Sequence, residues 1–374
     1  MSAPQHAARE VRPRPPQAPE DDGAGGGGPG MRAPQHAARE VRPRPPQASE
    51  GDGAGGGGDC VARLRNELDR ICAAASELDA YRTEPRQMPS GVVGKYGYLR
   101  LGFRKEADGR SVLYDIDRRV PFLVQKGLYW DEGMPHMPCV FIITTTGCLL
   151  QGDRMALEIR VGENAVGHVA TQSATRVHMM DANYAAQLQS IIVEPGGYLE
   201  YMPDPLIPHR TSRFLSDTAV SIAESGSLIY SEVLLPGRKY HHEDERFGFD
   251  LYSSHIHAVR RETGEKLFAE KCLLEPRVSD VLQTGVMNGF DVFGVVVLLT
   301  QPDKARRVRD CIGADVDLQG RLAYGATVLP GECGLSFKVL GDASETVRAK
   351  IRQFWSVARE TITGCPLPEE FLWR

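Results

Sequence analysis

The stretch YGYLRLGFRKEADGRSVLYDI, residues 96–116, decides the fold. Apolar side chains at Tyr98, Leu99, Leu101 and Phe103, and again at Val112, Tyr114 and Ile116, recur with a period near two, and Ala107-Asp108-Gly109-Arg110 lies between them. Asp-Gly supplies the backbone angles of a tight turn, so the segment reads as a β-hairpin. Working outward, strand-like runs follow at Met155–Val161, Ala165–Thr171, Ala186–Val193, Tyr198–Tyr201, Ala219–Ala223, Leu228–Leu234, Tyr252–Arg260, Lys266–Leu274 and Val292–Leu299. Turn chemistry separates them at Glu163-Asn164, Pro195-Gly196-Gly197, Ser225-Gly226 and Thr263-Gly264. Helical spacing returns late. Pro302 and Asp303 open a short helix through Arg309, and Val347, Ile351, Phe354, Ala358 and Ile362 mark one face of a longer helix over Ser344–Thr363, which Gly364 and Pro366 stop. Many short strands with two late helices fit a sandwich or an irregular β-solenoid equally well.

Toward the N-terminus the pattern changes twice. Val61, Leu64, Leu68, Ile71, Ala75 and Leu78 alternate steps of three and four in a charged segment, which predicts an amphipathic helix. A helix of about 20 residues is marginal alone, so its stripe needs a cover, either the chain's own body or a partner. Pro85, Pro89, Ser90 and Gly91 then mark a linker, making residues 60–94 a helix-and-linker unit. Residues 1–59 hold 12 of the 39 glycines and 10 of the 25 prolines and no aromatic residue. Such a composition cannot bury enough apolar surface to offset backbone ordering, which predicts a disordered, dispensable tail. Within it Ala3–Ala18 and Ala33–Ala48 are the same sixteen residues, APQHAAREVRPRPPQA, too short and polar for a solenoid unit. Its Arg-Pro-Arg-Pro-Pro core reads as a solubilising tail or as a polyproline ligand.

Function classes narrow by exclusion. Beyond the tail the chain carries 37 basic and 41 acidic side chains, which disfavours nucleic-acid binding through the phosphate backbone. The longest apolar run, Val292–Leu299, falls far short of the roughly 20 residues of a membrane span, so no membrane partner is expected. Eight scattered cysteines without a Cys-x-x-Cys pair, and no secretory signal, point to a cytoplasmic location. From Cys60 onward there is no Gly-x-Gly-x-x-Gly dinucleotide loop, P-loop or Gly-x-Ser-x-Gly elbow.

Several groups have side chains suited to metals or protein contact. His178 and Asp181 follow the small polar run Thr171-Gln172-Ser173-Ala174-Thr175, and imidazole with carboxylate suits borderline divalent ions such as nickel, although a structural hydrogen-bond cluster is the plainer reading. Glu200, Asp204 and His209 sit among Pro203, Pro205 and Pro208, whose fixed φ angles predict a rigid loop serving a weak transfer site or an interface. Glu200→Ala with Asp204→Ala is therefore expected to leave the fold intact. Arg238, after Pro236-Gly237, is the natural partner of a buried Glu232, a structural pairing. His241-His242-Glu243-Asp244-Glu245 reads as a solvated loop. His255 and His257 share one face of a strand, where a third ligand from elsewhere could complete a metal site, against the plainer reading of a half-exposed face.

The ordered series Lys126-Gly127-Leu128-Tyr129, Gly152-Asp153-Arg154, Thr171–Thr175, Leu199-Glu200-Tyr201-Met202-Pro203, Leu235-Pro236-Gly237-Arg238 and Leu329-Pro330-Gly331 resembles the UreD (UreH) family of urease accessory proteins from about Tyr96 onward. The resemblance implies an all-β dominated fold, an irregular β-helical or stacked-sheet domain over residues 95–374 with two helices near the C-terminus. It also implies a non-enzymatic assembly factor with no tightly bound cofactor. That factor binds apo-urease, a UreF-type accessory protein and, through the complex, a UreG-type GTPase, and passes transient nickel through an internal channel. Asp153, Glu200, Asp204 and Glu232 become channel or interface residues, His178, Asp181 and His209 weak transfer sites, and Gly237 with Arg238 structural. Thr144-Thr145-Thr146-Gly147-Cys148 stands where the family carries His-Pro-Pro-Gly-Gly, and Gln151 replaces a glycine, so no role of that histidine transfers. The competing classes are a metal-dependent hydrolase on a β-rich domain and an unrelated interaction module.

Overall fold

The computed structural model describes residues 56–85 and 96–369. The expected tail lies outside the described residues, except that Gly56–Asp59 form the start of helix α1 (Gly56–Ala74), so a cut placed before Cys60 falls inside a helix.

The hairpin β1 (Tyr96–Lys105) and β2 (Ser111–Arg119) forms as the Asp-Gly turn predicts. After β3 (Phe122–Leu123) and β4 (Cys139–Thr144) the chain coils. It lays down β5 (Arg154–Val161), β6 (Val166–Thr171) and β7 (Thr175–Val177), then β8 (Ala185–Val193), β9 (Tyr198–Tyr201) and β10 (Leu206–Pro208), then β11 (Arg213–Ile222) and β12 (Ser227–Leu234). Each circuit places one strand in each sheet. Thus β5, β8, β11 and β13 (Leu251–Arg260) pair in parallel in one sheet, and β4, β6, β9 and β12 in the other. This is the irregular β-helix of stacked sheets. Side chains stack in rows across it: Tyr98, Ala156, Leu188, Asp217 and His255 lie in successive register on one face.

Antiparallel strands close the ends. The first sheet finishes with β14 (Lys266–Leu274), and the second extends through β15 (Val292–Leu299), β18 (Gly334–Gly341), β17 (Leu322–Val328) and β16 (Asp315–Asp317). Parallel rungs buried on both sides read as near-continuous apolar runs. Accordingly Leu99, Leu157, Ile191, Val220 and Val297 fill the space between the sheets. Helices α2 (Pro302–Ile312) and α3 (Ser344–Thr363) cover the far face of the second sheet, with Phe354 stacked on Phe337 and Val347, Ile351 and Ala358 buried as their spacing predicts.

Helix α1 covers the far face of the first sheet, which answers where its stripe docks. Leu64, Leu68, Cys72, Ala75 and Leu78 are buried against Tyr98, Ala156, Leu188, Leu215 and Leu251. The connection beyond it is tied down too, since Asn183 donates to the Glu84 carbonyl at 2.8 Å and Arg213 pairs with the Glu84 carboxylate at 3.1 Å. A charge placed in this seam has no partner, so Leu68→Asp is expected to lift the helix. The expected readout is faster thiol labelling of Cys72, followed by mass spectrometry of its peptide. Unchanged protection would show that the seam does not hold the helix.

Candidate functional site

A file of polar side chains runs through the otherwise apolar space between the sheets. Gln189 on β8 donates to Thr218 Oγ1 at 2.9 Å and to the Tyr230 hydroxyl at 3.0 Å, while its carbonyl oxygen accepts from the Tyr201 hydroxyl at 2.6 Å. Tyr230 in turn donates to Glu232, which also accepts from Ser254 Oγ at 2.8 Å. Strand alternation explains the assembly, because Tyr230 and Glu232 are two residues apart on β12 and share its inward face. Burial pushes the Glu232 carboxyl above its usual range, against the hydrogen bonds from Tyr230 and Ser254.

A cavity of about 80 Å³ follows this file, lined by Gln187, Gln189, Tyr201, Ser216, Tyr230 and Glu232 among others. A cleft of about 690 Å³ opens on the outside between the second sheet and α3, lined by Trp130, Gln172, Arg348 and Trp355. Thr171, Pro203, Asp204 and Val233 line both spaces, so the prolyl segment stands between the cleft and the interior. Asp204 is fixed there: its N–H donates to Thr171 Oγ1 at 2.9 Å and its carboxylate lies 3.6 Å from Arg348. The cavity is large enough for ordered water, and its wall sets the polar groups of Gln187, Gln189, Tyr201, Ser216, Tyr230 and Glu232 among apolar side chains such as Phe122, Leu157 and Phe214.

Glu200 departs from expectation. It belongs to β9, not to the prolyl loop, and faces away from the file. Fully buried, it accepts from the Tyr198 hydroxyl at 2.6 Å, contacts His168 Nδ1 at 2.9 Å and lies 3.6 Å from Arg359, which also pairs with buried Asp131. Burial raises the Glu200 carboxyl, but His168 and Arg359 more than offset this and hold it below its usual range. It is the centre of a structural cluster beneath α3. The placing of Glu200 in the prolyl loop beside Asp204 is therefore corrected: Glu200 lies on a strand beneath α3, and Asp204 lines the cleft.

The other expected residues separate in the same way. In-register pairing of β7 with β10 sets Val177 beside Pro208, and so brings His178 and His209 together with ring centroids 5.5 Å apart. Neither ring nitrogen of His209 has a hydrogen-bond partner among the described residues, and burial, aided by Arg238 and His178, pushes its pKa down to about 4. Asp181 stays apart on an exposed bend, its N–H held by Gln151 Oε1 at 3.1 Å. Asp153 is buried in a tight turn, where its carboxylate accepts the Leu150 N–H at 2.8 Å. Arg238 pairs with Glu245 and not with Glu232, because Gly237 turns the chain at φ +102°, where a Cβ would lie 2.2 Å from the Glu245 carbonyl oxygen. Gly237 and Arg238 thus hold a turn. The loop His241–Asp244 is exposed, as expected, and Glu245 is buried.

His209 sets a pH dependence. Between its depressed folded value near 4 and the unfolded value of about 6.5 only the unfolded chain takes up this proton, so stability falls as pH drops through that window. His209→Gln is expected to flatten the decline in thermal midpoint between pH 6.5 and 4.5. An unaltered slope would assign the acid sensitivity to other groups.

A two-sheet β-helix with an outer helical layer and a polar file between its sheets defines the structural class. The family model for the UreD urease accessory protein matches residues 95–374. Over 300 residues the chain is 57% identical to the urease accessory protein UreD of Yersinia pseudotuberculosis (serotype O:1b, strain IP 31758), covering 80% of this chain and 93% of that protein. It is 53% identical over 300 residues to UreD of Photorhabdus laumondii, with coverage of 80% and 93%, and 49% identical over 299 residues to UreD 2 of Brucella suis biovar 1, with coverage of 80% and 98%. The chain belongs to the UreD family of urease accessory proteins. Helix α1 precedes the region that the family model matches. No helix among the described residues is long and apolar enough to cross a membrane.

Proposed function

We propose that this chain is a non-enzymatic scaffold for urease maturation, acting in the cytoplasm to pass nickel into apo-urease. Its relatives' names supply the urease role, and one observation supports the nickel path: a connected polar file ending at Glu232 runs between sheets packed largely with apolar side chains. Desolvated polar groups are costly, so a connected set in a core calls for a reason. Carboxylate, phenol and amide oxygens bind nickel more weakly than imidazole or thiolate sets, which suits handover and not storage. Nickel is accordingly a transient cargo bound with micromolar-order affinity, and no cofactor is held tightly. A UreF-type accessory protein docks on the body and a UreG-type GTPase joins through that complex. Co-expression with urease subunits and the two partners tests this reading: the chain should co-purify with them and raise the nickel content of urease. Apo-urease that loads equally well in its absence would overturn the proposal.

A further inference from the structure

On the opposite side of the first sheet, away from the polar file, three further side chains converge. His255 and His257 stand two apart on β13 and so share its outer face, with rings stacked at 4.9 Å between centroids. Asp217 on β11 is the direct register partner of His255, and its two carboxylate oxygens reach His255 Nδ1 at 2.7 Å and His257 Nε2 at 3.2 Å. Among the described residues these form the group of three whose ligand atoms come together, all within 4.8 Å of one another.

The row they occupy explains why they are there. Tyr98, Ala156 and Leu188 are buried beneath α1, and at the next two rungs the row turns to Asp217 and His255 where the helix no longer seals the sheet. A groove of about 480 Å³ opens at that point between α1 and β14, lined by Glu67, Arg70, Glu77 and Lys271 as well as by the three residues themselves. Glu77 is already engaged by Lys271 and by Ser253, each at 2.7 Å, and Arg70 by Glu67. The neighbouring charges are therefore neutralised in pairs, leaving Asp217 and two imidazoles facing the groove. Because one wall is α1, the groove depends on a segment outside the family-matched region.

We propose that Asp217, His255 and His257 form a binding site for one borderline divalent cation, of the nickel and zinc class, with its remaining coordination position open to the groove. Two imidazoles and a carboxylate are a common three-ligand set for such ions, and an open position distinguishes an exchangeable or reactive site from a closed structural one. The geometry is nearly in place. A tetrahedral ion with bonds of about 2.0–2.1 Å spaces its ligand atoms about 3.4 Å apart. The carboxylate-to-imidazole separations, 2.7 and 3.2 Å, are near this spacing, and rotation of the half-exposed rings has to bring the two imidazole nitrogens, which lie within 4.8 Å of each other, to it as well. On binding, the ion takes the place of the protons shared between Asp217 and the imidazoles. The site is separate from the Glu232 file and does not rest on the urease reading.

The test uses the purified full chain without urease or partners. Equilibrium dialysis of the Glu232→Gln chain, which lacks the file's carboxylate, against nickel alone, and separately zinc alone, should still give one saturable ion per chain, and the variants below are compared in that background. His257→Gln should weaken it at least tenfold, and the double variant His255→Gln/His257→Gln should abolish it. Both imidazoles are half-exposed, so these variants should keep the thermal midpoint of that background, measured in parallel. Cobalt supplies a second readout, since a four-coordinate site with two imidazoles gives intense visible absorption that the double variant should lack. His178→Gln/His209→Gln should retain the ion. Binding undiminished in the double variant, or lost in the His178/His209 variant instead, would overturn the assignment. Urease activation is scored separately in co-expression: its failure with this ion still bound would count against the scaffold reading alone.

Discussion

Arg359→Ala is expected to cost about 3–5 kcal/mol of folding stability, the range for breaking a buried ion pair by removing one partner. Arg359 is fully buried on α3 and stands between two fully buried carboxylates, Asp131 and Glu200. Its approach to Glu200, 3.6 Å, is too long for a hydrogen bond, so the attraction there is electrostatic and the direct bond is to Asp131. Alanine leaves both carboxylates without their cation in a layer where His168 is stacked on Trp355 and Tyr198 is already spent on Glu200. Burial disfavours the protonated form of His168 despite Glu200 beside it, so the imidazole is a poor substitute for the lost charge. Urea denaturation of the wild type and the variant measures the cost through the shift in midpoint at constant slope. A loss below about 1 kcal/mol would mean that water reaches the cluster and that it does not anchor α3.

That cluster also shows where sequence reading stops. Glu200 and Asp204 are four residues apart beside prolines, and nothing in their spacing tells that the first lies within a strand facing α3 while the second lines a cleft. His168, Asp131 and Arg359 come from distant parts of the chain, so only the fold reveals their meeting. The strands themselves were legible where one face is polar: β2, β13 and β14 match their alternation. Cys139–Thr144 escapes because a short apolar run has no period to read. Leu322–Val328 and Gly334–Gly341 escape because glycines interrupt the first and open the second. The β-helix could not be told from a sandwich for a related reason. Its rungs pair residues such as Ala156, Leu188 and Asp217, which share a row but no side-chain character. The pair His255 and His257 was visible as a shared strand face, whereas its third member needed the parallel register of β11 with β13.

The largest functional effect should come from Glu232→Gln, which is expected to reduce the nickel content of co-expressed urease by roughly tenfold, about 1.4 kcal/mol in the rate-limiting transfer step. Glutamine keeps the size of the side chain and can still hydrogen-bond to Tyr230 and Ser254, but it removes the anionic oxygen that a passing cation would meet. Stability should move the other way. The Glu232 carboxyl is raised by burial, so the folded chain holds this proton more tightly than the unfolded one, and the stabilising contribution is lost as pH rises through the folded value. At neutral pH the variant should therefore be at least as stable as the wild type, with a thermal midpoint that falls less as pH rises above the ordinary carboxyl range. Poor nickel loading by a chain that is no less stable separates transport from folding. Asp204→Asn, at the mouth and beside Arg348, should give a smaller loss, because water in the cleft can replace a carboxylate there but not in the narrow interior. Full nickel occupancy in urease matured with Glu232→Gln would mean that the ion does not travel along this file, and the polar core would then need an explanation in folding specificity alone.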